Sequence, residues 1–156
     1  MIKAEFKITG LQELQRKLLE KKEQLEKQLD TRLLDLCERA VAHAKRNKGY
    51  KDHTANLKNT ISFVLFKDGE MIRQHIGINT EAKSGESASP DNVKERIDEY
   101  CEKEGVIKPH GYSLVIVAPM EYAQHVEHKG YNVLHLTKYY LQEELEKELS
   151  EVIKSF

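Results

Sequence analysis

The sequence predicts an α+β fold: one small antiparallel sheet of about four strands, packed against a long N-terminal helix and a C-terminal helix. Three observations predict it. Leu11, Leu14, Leu18, Leu25, Leu29, Leu33, Leu36, Ala40 and Ala44 recur at spacings of three, four or seven, which puts them on one helical stripe. Two runs rich in β-branched and aromatic residues flank Asp68-Gly69, a dipeptide that favours a tight hairpin. A second stripe, Leu134, Leu141, Leu145, Leu149, Val152 and Phe156, closes the chain.

Taken in order, residues 3–9 (KAEFKIT) alternate, with Ala4, Phe6 and Ile8 on one face and charged or polar groups on the other, as in a half-buried strand. Gly10 breaks the alternation, and the helical stripe then carries a helix from about Leu11 to Arg46, about 50 Å if unbroken. Residues 20–24 (EKKEQ) interrupt the stripe, so a kink or a helix end projecting past the globular body is expected there. So long a helix exceeds what a small sheet can cover, and its surplus stripe needs a partner. Gly49 stops the helix, and residues 47–56 form a loop.

Residues 61–66 (ISFVLF) and 71–78 (MIRQHIGI) form the hairpin strands. Residues 79–90 are a polar loop of small residues. Ser89 as N-cap and Pro90 at the first position open a short helix lined by Val93, Ile97, Tyr100 and Cys101 and ended by Gly105. Residues 112–118 (YSLVIVA) are almost wholly apolar and read as a central strand. A short helix over 121–128 ends at Lys129-Gly130, and the last helix covers about 133–155.

The 156 residues suit a single domain, 1–156. No apolar run approaches the roughly 18 residues that span a bilayer, which excludes a membrane protein. Residues 1–10 lack the basic-then-apolar pattern of a signal peptide. Cys37 and Cys101 are far apart on helical patterns and read as buried free thiols. The net charge of −1 argues against a general nucleic-acid binder. The halves nonetheless differ: residues 1–60 hold 14 Lys/Arg against 9 Asp/Glu, and residues 61–156 hold 11 against 17. One basic and one acidic end suit stacking on copies or on a charged ring; the plainer alternative is two solvated helix faces.

Candidate chemistry is sparse. On a helix, Glu121 and His125 lie four apart and His125 and His128 three apart, so these three side chains could converge on a metal such as zinc, with His135 as a further ligand. The spacing is not that of zinc proteases, and a His-x-x-His arises by chance in a chain with seven histidines. Gly-x-Ser-x-Gly and glycine-rich phosphate loops are absent. Cys37 and His43, six apart on a helix, are poorly angled to meet. Lys45, Arg46, Lys48 and Lys51, with Tyr50 and His53 nearby, form a basic cluster that could touch a phosphate backbone, although no second basic stripe joins it.

Two segments together carry a pattern. One is Ala44-Lys45 followed by Thr54-Ala55-Asn56-Leu57-Lys58-Asn59-Thr60-Ile61; the other is Glu121-Tyr122-Ala123-Gln124-His125-Val126-Glu127-His128-Lys129-Gly130. Their order and spacing resemble the head–tail joining (neck, or tail-component) proteins of lambdoid HK-type siphophages and related prophages. In that family an Ala-Lys pair ends the long helix, a Thr-Gly-x-Leu-Arg-x-Ser-Ile-like segment leads into the hairpin, and a Tyr-Ala-x-x-Val-Glu segment precedes the C-terminal helix. Here Ala55, Lys58 and Thr60 stand where the family usually has Gly, Arg and Ser, His128-Lys129-Gly130 replaces a Gly-Thr-like ending, and residues 79–111 read as an insertion.

The resemblance implies a structural protein of the virion, made in the host cytoplasm. It implies a ring of copies between the portal (connector) and the tail proteins, with DNA in the lumen at most nonspecifically bound, and no cofactor, membrane or enzymatic activity. The motif residues Thr54, Asn56, Leu57, Ile61, Tyr122, Ala123 and Glu127 then act in folding: Thr54 or Asn56 caps the turn into Ile61, Tyr122 and Ala123 pack the short helix, and Glu127 pairs with a basic residue. Lys45, Arg46, Lys48 and Lys51 become interaction residues. The alternatives are a metal-dependent hydrolase using Glu121, His125 and His128, and a nucleic-acid-binding module.

Overall fold

The computed structural model describes residues 9–47, 56–80, 89–121 and 123–155, and of Asn56 the backbone only. Helix α1 spans Leu11–Arg46 and α2 Asn56–Asn59. Strands β1 (Ser62–Lys67) and β2 (Glu70–His75) form the expected antiparallel hairpin. Helix α3 (Pro90–Lys103) precedes β3 (Tyr112–Val117), and α4 (Ala123–Val126) runs through a π-turn at Glu127–Tyr131 into α5 (Val133–Lys154). The architecture is α+β.

The sheet has three strands among the described residues, in the order β2-β1-β3, and both pairings are antiparallel. The expectation of about four strands is corrected. The fourth was the run at residues 3–9; only Thr9 of it is described, and Thr9 lies in no strand. Position in the sheet is a second correction: among the described residues β3 lies at an edge, and β1 is central. Both strands read as continuous apolar runs because both have their two faces covered, and face coverage says nothing about the strand edges. On one face Phe63 and Leu65 pack with Leu33, Leu36, Cys37 and Val41 of α1 and Val133 of α5. On the other, Val64, Phe66, Val115 and Val117 pack with Val93, Ile97 and Cys101 of α3. Residues 79–111, expected as an insertion, thus supply the helix that covers the second face.

Turn chemistry fixes the hairpin. Asp68 (φ 51°) and Gly69 (φ 87°) are both left-handed, as a two-residue type I′ turn requires. Strand β2 stops at His75, three residues short of the expected end at Ile78. The reason lies at Gly77. A Cβ there would sit 2.3 Å from the Asn59 carbonyl oxygen and 2.7 Å from that of Ile61. The chain leaves the ladder to lay this glycine backbone against the turn before β1. The Gly77 N–H donates to Ser62 Oγ (2.9 Å), and Ser62 Oγ–H donates to the Thr60 carbonyl (2.7 Å). Ser89 occupies the N-cap position of α3 but makes no side-chain cap bond.

Helices α1 and α5 pack antiparallel. Gln28 meets Ser155 at one end, and His43 meets Thr137 and Tyr140 at the other. Between them Arg32 donates to Glu148 (2.7 Å) and Glu151 (2.8 Å), and Arg39 to Glu144 (2.6 Å), Glu148 and its own-helix neighbour Asp35 (2.8 Å). Part of the charge asymmetry between the chain halves is therefore neutralised inside the molecule. Isolated surface pairs are worth little, and it is the joining of several charges into one network that gives these contacts weight. At the hairpin end, Lys67 reaches Glu26 (3.3 Å) and Asp30 (3.4 Å), and the Tyr112 hydroxyl donates to Asp30.

Helix α1 is continuous, and its first part projects. Every residue from Leu11 to Gln24 is exposed, and burial begins only at Leu33. Leu11 (64% exposed), Leu14 (54%) and Leu18 (62%) thus lie in solvent on an arm beyond the end of α5. No helix among the described residues is long and apolar enough to cross a membrane.

Candidate functional site

The two sequence segments singled out above meet in space. Leu57 on α2 and Ile61 before β1 face Ala123 and Val126 on α4 and Glu127 in the π-turn. With Ala118, Val133 and Leu134 they close around a cavity of only about 10 Å³, too small for a ligand. Leu57 (4% exposed), Ile61 (1%) and Ala123 (9%) are core residues. Sequence spacing explains the meeting. A short helix is too small to be stable alone and must be pinned by side chains from elsewhere, here one apolar anchor on α2 and a small residue on α4 that lets it approach.

Glu127 differs from the expectation. Rather than pairing with a basic residue, its carboxylate accepts the backbone N–H of Leu134 (2.5 Å) at the start of α5. The N-cap residue, Asn132, is left-handed (φ 49°) and gives no side-chain cap; its amide donates to the Gly130 carbonyl instead (3.1 Å). Glu127 supplies the cap from seven residues upstream, where a negative charge also suits the helix dipole. Thr54 and Tyr122 lie outside the described residues, as does the side chain of Asn56.

The three metal candidates are not gathered. Among the described residues no group of three or more His, Cys, Asp or Glu is placed to hold an ion. Glu121 is engaged by Arg96 (2.7 Å), and His125 and His128 are exposed. The physical reason is that regular helix covers only Ala123–Val126. Glu121 precedes it, and His128 falls in the π-turn, where Gly130 is left-handed, so the three-and-four spacing does not apply. His135 instead sets its ring edge-on to Tyr139.

The basic cluster also divides. Lys45 is half-buried; burial, then the like charge of Lys58, lowers its pKa. Arg46 is exposed and donates to the Ala42 carbonyl of its own helix (3.3 Å). Lys48 and Lys51 lie outside the described residues. Burial pushes the Cys37 thiol up to about 12, and the Cys101 thiol is also raised by burial, so neither is a ready nucleophile. His43 stacks on Tyr140 with ring centroids 4.3 Å apart.

Compared with protein-family models, curated proteins and solved structures, the chain matches none.

A further surface feature follows from the edge position of β3, which the apolar run of residues 112–118 does not reveal. The outer edge of β3 is flanked by two clefts. One, about 670 Å³, lies towards α3 and is lined by Ile97, Tyr100 and Val117 with Arg96, Glu99 and Lys103 among its charged groups. The other, about 310 Å³, lies towards α5 and is lined by Leu114, Ile116, Leu134, Leu141 and Leu145. Ile116 and Leu134 border both. Such a site can hold an extended or apolar partner.

Proposed function

We propose that this chain is a structural subunit of a phage or prophage neck, one of a ring of copies joining the portal to the tail, acting in the virion after assembly in the host cytoplasm. The observation that carries the reading is the packing of the two motif segments on each other. Leu57, Ile61, Ala123 and Glu127 act in packing and capping, which accounts for a patterned motif that carries no chemistry. The exposed leucines of the α1 arm support it too, since an apolar stripe of this kind suits contact with another chain. Its partners are further copies of itself, the portal and the tail proteins. The metal-hydrolase reading through Glu121, His125 and His128, and the nucleic-acid reading through the basic loop, have no comparable observation behind them.

The basic loop and the acidic face of α5 lie on opposing contacts in this reading. Arg46, Lys48 and Lys51 are the groups to reverse, since Lys45 is half-buried. Changing the three to Glu weakens assembly with the portal or with other copies, most at low salt where screening is least. Assembly unchanged at low salt overturns this arrangement.

A further inference from the structure

We infer that the outer edge of β3 receives residues 3–9 of a second copy of this chain as a fourth strand. The inference rests on the proposed function only in taking that copies meet. An unpaired strand edge presents a row of N–H and C=O groups ready to pair with another chain. Among the described residues β3 pairs with β1 alone.

Both flanking clefts match the alternation of residues 3–9. A strand laid beside β3 points successive side chains to opposite faces. Ala4, Phe6 and Ile8 then enter the apolar cleft lined by Leu114, Ile116, Leu141 and Leu145. Lys3, Glu5 and Lys7 face the other cleft, where Arg96, Glu99, Lys103 and Glu121 offer both signs of charge. Strand β2, at the other edge, is exposed along nearly its whole length.

Reach decides that the strand comes from another copy. Gly10 lies at the far tip of the α1 arm. Glu26, which holds Lys67 beside Tyr112, and Asp30, which accepts the Tyr112 hydroxyl, are 16 and 20 residues along the helix, about 24 and 30 Å away. Nine residues extend at most about 30 Å, so even from the nearer contact only about two would be left to lie along Tyr112–Val117, too few for the strand of residues 3–9. A projecting arm and an open edge elsewhere on the molecule are two unlike surfaces. Contacts of that kind are head-to-tail, and they close into a ring where the rotation from copy to copy closes.

The test uses the full chain carrying Phe6→Pro, which disables its own strand and leaves β3 intact. A synthetic peptide of residues 1–10 (MIKAEFKITG) is the probe, read by amide hydrogen exchange and NMR shifts. Saturable binding is expected, with about tenfold slower exchange at alternate amides of Tyr112–Val117 and none at Glu70–His75. The same peptide with Phe6→Glu is expected not to bind. The inference is overturned if millimolar peptide leaves β3 unchanged or acts at β2. It is also overturned if the unaltered chain shows β3 protection that is independent of concentration and lost in Phe6→Pro. A chain absent from phage particles would still bind the peptide, and a ring built without strand exchange would not, so the two readings fail separately.

Discussion

Removing the Glu127 carboxylate tests whether this motif residue is a helix cap or half of an ion pair. The first helical bond of α5 runs from the Leu136 N–H to the Asn132 carbonyl, so the N–H groups of Val133, Leu134 and His135 have no i−4 partner in the helix, and Asn132 offers no side-chain cap. Glu127 satisfies the N–H of Leu134. Glu127→Ala loses both an acceptor, worth about 1 kcal/mol, and a charge beside the dipole, worth about 0.3–1 kcal/mol. Glu127→Gln keeps an acceptor and loses only the second amount. For a chain of this size about 1 kcal/mol moves Tm by roughly 3 °C. Thermal unfolding followed by circular dichroism should therefore show Tm lower by about 4–6 °C for Ala and by about 1–3 °C for Gln. Equal losses for Gln and Ala would mean that charge alone matters, as in an ion pair. An unchanged Ala variant would mean that the cap contributes nothing. Either result refutes the argument.

Three further outcomes follow from the packing. Gly77→Ala forces a methyl against two backbone carbonyls that have no side-chain freedom to move aside; a loss of about 3 kcal/mol in urea unfolding is expected, and a loss below about 1 kcal/mol would contradict the close approach. Burial, then the charge of Arg46, holds the His43 imidazole below its ordinary 6.5, so its contribution to stability is full above that value and is lost as pH falls through the lowered one. His43→Gln should remove part of the loss in urea midpoint between pH 7.5 and 5, with His75, also lowered chiefly by burial, retaining its share; an unchanged profile refutes this. Leu14→Lys with Leu18→Lys on the exposed arm should leave monomer stability within about 0.5 kcal/mol while weakening assembly, and a large loss in the monomer would mean the arm is buried there.

Periodicity made the helices and the hairpin legible. The stripe from Leu11 marks the extent of α1, and Asp68-Gly69 marks the turn, because both signals are local. Strand order was not legible. YSLVIV and SFVLFK carry the same apolar content, and which of them owns a free edge depends on partners distant in the chain. The metal candidates failed for a similar reason: the helix that would have aligned Glu121, His125 and His128 is one turn long, ended by a π-turn that spacing alone does not reveal. The cap by Glu127 was missed because it crosses seven residues, whereas caps are sought within three. Gly77 did leave a trace, as an isolated glycine in a strand pattern often marks a close backbone approach.

The most direct test of the proposed role is mass spectrometry of particles purified after inducing the strain that carries this chain. The account predicts the chain at a few copies per particle, beside portal and tail proteins. Particles that form and contain portal and tail proteins but lack this chain would contradict it.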